Sequence, residues 1–124
     1  TLYLAARGEY ALAFLVTILR GFAAALAFGG IFSPAHLFSL AGGVAAVSLT
    51  LVLCRCMYAY LSLYGVSIAA ALAHAFAQIS CALLLFLSWE AAALLLPVML
   101  TFAVITGGIN AYLARRILIR EGKV

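Results

Sequence analysis

The chain has no aspartate, a single lysine at Lys123 and only three glutamates, Glu9, Glu90 and Glu121, among its 124 residues. A magnesium site for diphosphate chemistry needs clustered carboxylates, and a Walker loop needs an interior Gly-Lys-Ser/Thr. Neither pattern occurs, so ATP hydrolysis and aspartate-dependent chain elongation are excluded for these residues. Charged side chains of all kinds amount to 8%, against roughly a quarter in soluble domains. Too little charge is present to build a water-facing surface. Cysteine is also sparse: Cys54 and Cys56 are too close for the C-x-x-C spacing of redox and zinc modules, and Cys81 stands alone in an apolar stretch. No disulfide is expected. His74 has no acid near it in sequence to orient it, which leaves nucleophilic catalysis without support. The chain is not expected to be an enzyme, nor to carry a metal or any other cofactor.

What fills the sequence instead is hydrocarbon. Hydrophobic residues make up 69%, and the mean hydropathy is +1.30. Charge-poor segments fall at about residues 10–28, 35–54, 66–88 and 91–114, each near the ~20 residues that cross a bilayer. The fold expected is an all-α, polytopic transmembrane bundle, one domain of four complete spans preceded by the end of another helix. Thr1 to Ala6 is apolar but too short to span, and reads as the inner end of an earlier helix whose start is missing. Gly29-Gly30-Ile31-Phe32-Ser33-Pro34 joins the first two spans, with Pro34 suited to a first helical turn. Arg55 to Gly65 forms the second connection, bringing Tyr58, Tyr60 and Tyr64 to an interface. The third, Ser88-Trp89-Glu90, is so short that its two helices must be antiparallel neighbours.

Basic residues orient the bundle, because cytoplasmic ends of spans collect Lys and Arg. Arg7, Arg55, Arg115, Arg116, Arg120 and Lys123 all fall on one side, and the other two connections contain neither residue. This predicts a multi-pass protein of the cell membrane with its C-terminus in the cytoplasm. The net charge of +4 is spread over span borders rather than gathered in one stripe, so nucleic acid is not expected as a partner.

In lipid, helices meet through small residues and a few hydrogen-bonding groups, so inward faces are read from those. Ala13, Thr17, Arg20, Ala24 and Ala27 share one side of the first span. Ser39, Gly43, Ala46 and Thr50 share one side of the second, and Ser67, Ala71, His74, Gln78 and Cys81 one side of the third. Ala103, Thr106, Gly107, Asn110 and Ala114 do the same in the fourth. Gly21, Ala25 and Gly29 offer a second packing edge. Arg20 is the most informative residue, because an arginine at mid-span costs on the order of 2.5–3.5 kcal/mol and needs a partner or water. Two readings are open: it recognises an anionic or carbonyl-bearing ligand, or it pairs with helix carbonyls, Gln78 or a carboxylate outside these residues. His74 and Gln78 are one turn apart, where side chains meet, and can bond a ligand or one another. His36 lies near the outer end of its helix, too far to complete a metal site. The candidate ligand-binding set is Arg20, His74, Gln78 and Asn110, with Ser39, Gly42 and Gly43 on the facing helix.

Phe32-Ser33-Pro34, Phe38-Ser39-Leu40-Ala41-Gly42-Gly43, and Tyr64-Gly65-Val66-Ser67 leading to Ala73-His74-Ala75-Phe76-Ala77-Gln78 resemble the Gx transporter family, also labelled heptaprenyl diphosphate synthase component I. That family is similar to the substrate-binding S components of energy-coupling factor transporters. Arg20, followed by Gly21, falls where the family places an arginine. His74 and Gln78 match its third-helix motif, whereas Ala75 and Ala77 replace its polar and glycine positions. The resemblance implies a small-molecule substrate, an energy-coupling transmembrane subunit and ATPases in other chains, and a helix and a half before Thr1. The family's older label implies instead a non-catalytic membrane subunit beside a polyprenyl diphosphate synthase. A purely structural bundle is the third reading.

Overall fold

The computed structural model describes residues 1–27, 33–57 and 60–122. Among the described residues five helices follow one another: α1 (Leu2–Ala6), α2 (Tyr10–Ala27), α3 (Pro34–Cys56), α4 (Leu63–Leu85) and α5 (Trp89–Arg120). Serine starts each of the last three. The Oγ of Ser33 accepts from the His36 N–H at 3.3 Å, that of Ser62 from Gly65 at 3.2 Å and that of Ser88 from Ala91 at 3.4 Å, supplying orphan first-turn donors with an acceptor. Pro34 sits at the start of α3, where its missing N–H costs nothing.

These caps move boundaries relative to hydropathy alone. Ser62 starts α4 before the apolar run begins, so Tyr64 and Gly65 are helical rather than part of a connection. Trp89 and Glu90 likewise belong to α5, leaving only Phe86 to Ser88 between the last two helices. At 32 residues, α5 is about 48 Å long. It overshoots a hydrocarbon core of about 30 Å, which puts Arg115, Arg116 and Arg120 on a continuous helical extension. The expected turn at Gly29 to Phe32, and the positions of Tyr58 and Lys123, lie outside the described residues.

α2, α3, α4 and α5 pack in a row, each against the next. The contacts are made by small residues: Ala13, Ala70, Ala75, Ala92, Ala103, Ala111 and Ala114 are all buried. Large apolar side chains point outward, with Leu84 85% and Leu94 77% exposed. That inversion of the soluble pattern is what a lipid solvent requires. Four helices are long and apolar enough to cross a membrane, and the chain is a multi-pass membrane protein. Of the stripe expected on α2, Ala13 and Thr17 are buried but Ala24 and Ala27 are exposed; Ala25 and Gly21 face α3 instead, with Gly21 at contact distance from Leu40.

α1 is wedged against α2, α3 and α5 at the end where the helix termini carry arginine. Gly8, at φ +80, makes the turn into α2, a conformation glycine adopts without strain. Four side chains fasten the wedge. The Tyr3 hydroxyl donates to Glu121 Oε1 at 2.6 Å, and Arg7 Nη1 donates to the Tyr3 oxygen at 2.8 Å. Arg7 Nε also pairs with Glu9 at 3.2 Å. Glu121 raises the pKa of Tyr3 by accepting a hydrogen bond from its hydroxyl, and the Tyr3 oxygen raises that of Arg7 by accepting one from the guanidinium. On the other flank the hydroxyls of Thr1 and Thr17 meet at 2.7 Å.

α4 and α5 approach backbone to backbone at Gly107. The Ser67 hydroxyl donates to the Gly107 carbonyl at 2.7 Å, and a Cβ on Gly107 would lie 2.9 Å from the Ile68 Cα and 3.1 Å from the Ser67 carbonyl oxygen. Backbone cannot yield as a side chain can. Gly107→Ala should therefore destabilise the protein by about 1–3 kcal/mol, read as a lower melting temperature in detergent. Gly108→Ala, which meets nothing within 4 Å, should be neutral or slightly stabilising.

Candidate binding site

A row of four helices closed at one end by a wedge leaves a concavity along its inner side. The cavity measures about 560 Å³, within the range of small-molecule sites. Thr17 and Arg20 of α2, Gly43, Ala46, Val47 and Thr50 of α3, and Ser67, Ala71, His74 and Gln78 of α4 line it. α5 adds Met99, Phe102, Ala103, Thr106, Asn110 and Ile117, while Thr1, Leu2 and Tyr3 form the wedge end. Arg20 and Asn110 stand on α2 and α5, the two outer helices of the row, and both are exposed at the cavity rim.

The polar groups share a depth. Counted at 1.5 Å per residue, Arg20 lies roughly 16 Å along its helix from Glu9, and Asn110 roughly 16 Å from Glu121. His74 lies about the same distance from the start of α4. They form a polar belt at a common distance from the end of the bundle where Arg7, Glu9 and Glu121 meet, flanked by apolar side chains.

The belt contains two kinds of polar group. The hydroxyls are occupied by their own scaffold: Thr17 donates to the Ala13 carbonyl at 2.9 Å, Thr50 to Ala46 and Thr106 to Phe102, both at 2.8 Å, and Ser67 to Gly107. The imidazole of His74 lies against the Gly42 backbone. By contrast, among the described residues Arg20, Gln78 and Asn110 make no side-chain hydrogen bond or ion pair. A guanidinium and two amides are left to bind whatever enters.

Each sequence candidate has a definite place. Arg20, His74, Gln78, Asn110 and Gly43 line the cavity. Gly42 is buried behind the wall rather than in it: a Cβ there would sit 2.8 Å from Gln78 Cγ and 2.8 Å from two atoms of the His74 ring. Its role is to let those side chains lie across α3. Ser39 is exposed on α3 beyond the wall, which on that helix runs from Gly43 to Thr50. His36 is buried against Phe22, the rings 5.4 Å apart and tilted, and takes no part. The sequence reading missed Tyr3, Met99, Phe102 and Ile117. The last three read as lipid-facing by composition, and Tyr3 is placed by a contact 118 residues away, for which no local pattern exists.

A protein-family profile described as heptaprenyl diphosphate synthase component I matches residues 1–117. No curated protein and no solved structure matches the chain.

The packing of His74 and Gln78 over Gly42 makes a double-mutant prediction. Gly42→Ala should lower the melting temperature by the equivalent of about 1–3 kcal/mol. In a His74→Ala/Gln78→Ala background the same substitution should cost little, because the side chains it collides with are gone.

Proposed function

Because the chain belongs to the heptaprenyl diphosphate synthase component I family, whose description names a component rather than a complete synthase, we propose that it is a non-enzymatic membrane-embedded binding protein. It takes a small metabolite into the cavity between α2 and α5 and passes it across the cell membrane in the manner of an energy-coupling factor S component. A coupling transmembrane subunit and ATPases in other chains supply the energy, since these residues hold no nucleotide-binding motif. The arginine-rich end carrying the C-terminus faces the cytoplasm. The observation that carries this reading is Arg20: a guanidinium in the polar belt, lining a cavity of ligand size, with no hydrogen bond or ion pair among the described residues. Intramembrane ionisable groups of that kind mark substrate sites more often than packing.

The family description favours a second reading, in which the same bundle is the membrane subunit of a polyprenyl diphosphate synthase whose catalytic chain is separate. In that case prenyltransferase activity should co-purify with the protein and vanish from membranes lacking it.

The binding reading is checked by small molecules released on denaturing protein purified in mild detergent. One or more compounds should be enriched with the wild type, depleted about tenfold or more with Arg20→Ala, and depleted to a lesser degree with His74→Ala. Identical release profiles for wild type and Arg20→Ala would remove it.

A further inference from the structure

The charges and hydrogen-bonding groups facing the cavity also restrict what it can hold. Arg20 is the one permanently cationic side chain that lines it among the described residues. Arg7, the preceding cation in the chain, is committed to Tyr3, Glu9 and Glu121 at the wedge end. Arg115, Arg116 and Arg120 lie on the far extension of α5, with Arg116 stacked over Tyr112 at 5.3 Å. The hydroxyls of Thr17, Thr50, Ser67 and Thr106 already donate to helix carbonyls, so they are spent as donors. What remains is one permanent positive charge, the His74 imidazole, two primary amides, and apolar walls from Met99, Phe102 and Ile117.

Within a cavity walled by membrane-spanning helices, charge must balance closely, because each unmatched buried ionic group carries a penalty of several kcal/mol. A single carboxylate is matched by Arg20 one to one. A diphosphate carries at least one full negative charge on each phosphoryl group and leaves at least one unmatched. Gln78 and Asn110 each offer a donor pair and an acceptor, suited to carbonyl, amide or hydroxyl groups. Resting on the binding reading above, we infer that the ligand is a monoanionic carboxylate with a largely apolar body and one or more neutral hydrogen-bonding groups, and that diphosphates, prenyl diphosphates included, are excluded from this cavity. The cavity then discriminates against the very compound class in the family's description. A prenyl diphosphate associated with this protein would be handled by another chain.

The test is the elemental and charge composition of what the purified protein releases, together with a direct challenge by defined probes. The wild type should release a phosphorus-free species with one acidic group. Arg20→Lys should keep it to within a few-fold, and Arg20→Gln should lose it about tenfold or more. Inorganic diphosphate and isopentenyl diphosphate, each added at millimolar concentration, should leave the melting temperature unchanged. A released species containing phosphorus, or a rise in melting temperature with either probe that Arg20→Gln abolishes, would overturn the carboxylate assignment while leaving a binding site at Arg20. Release of nothing by the wild type would overturn the binding reading itself, and this inference with it.

Discussion

An arginine near the middle of a transmembrane helix must find an acceptor, a counter-ion or water, because hydrocarbon offers none of them. The rest of this architecture is arranged around that requirement. Among the described residues Arg20 is given a cavity rather than a partner, and the cavity exists because α2 and α5 end the row of helices instead of packing on one another. His74, Gln78 and Asn110 stand at the same depth on the other walls. Polar groups that could have paired among themselves face a shared space.

Holding that space open depends on close contact elsewhere. In lipid, leucine gains little by burial, so the helices are held by approach of backbones and a few internal hydrogen bonds. Gly107 lets α5 come against α4, where Ser67 fastens it, and Gly42 lets His74 and Gln78 lie flat on α3. At the wedge end Tyr3, Arg7 and Glu121 join the first and last helices. Ordinary hydrophobic residues do the remaining work from outside, where they meet acyl chains. Small residues therefore set the shape of the site, and the few unsatisfied polar ones set its chemistry.

Much of this was legible in the residues. Four apolar runs gave four spans, and inverting the soluble rule put Arg20, His74, Gln78, Asn110 and Gly43 on inward faces, all of which line the cavity. Periodicity works here because each helix has one small or polar seam and no competing signal. It failed where geometry is not periodic. Ser39 shares a stripe with Gly43, but the cavity ends before it reaches that turn. Gly42 proved to support the site from behind, a distinction that depends on neighbours rather than on sequence spacing. The helix starts depended on Ser62 and Ser88, which hydropathy does not register. The bond between Tyr3 and Glu121 joins opposite ends of the chain and has no local signature.

The central claim is that Arg20 serves a ligand and not the fold. Thermal unfolding of Arg20→Leu, compared with wild-type protein washed free of small molecules, addresses it most directly. Replacing a guanidinium that has no hydrogen bond among the described residues by a lipid-compatible side chain should leave the melting temperature unchanged or raise it, since an arginine near mid-span costs about 2.5–3.5 kcal/mol. A fall of several degrees would contradict the account and make Arg20 a structural anchor.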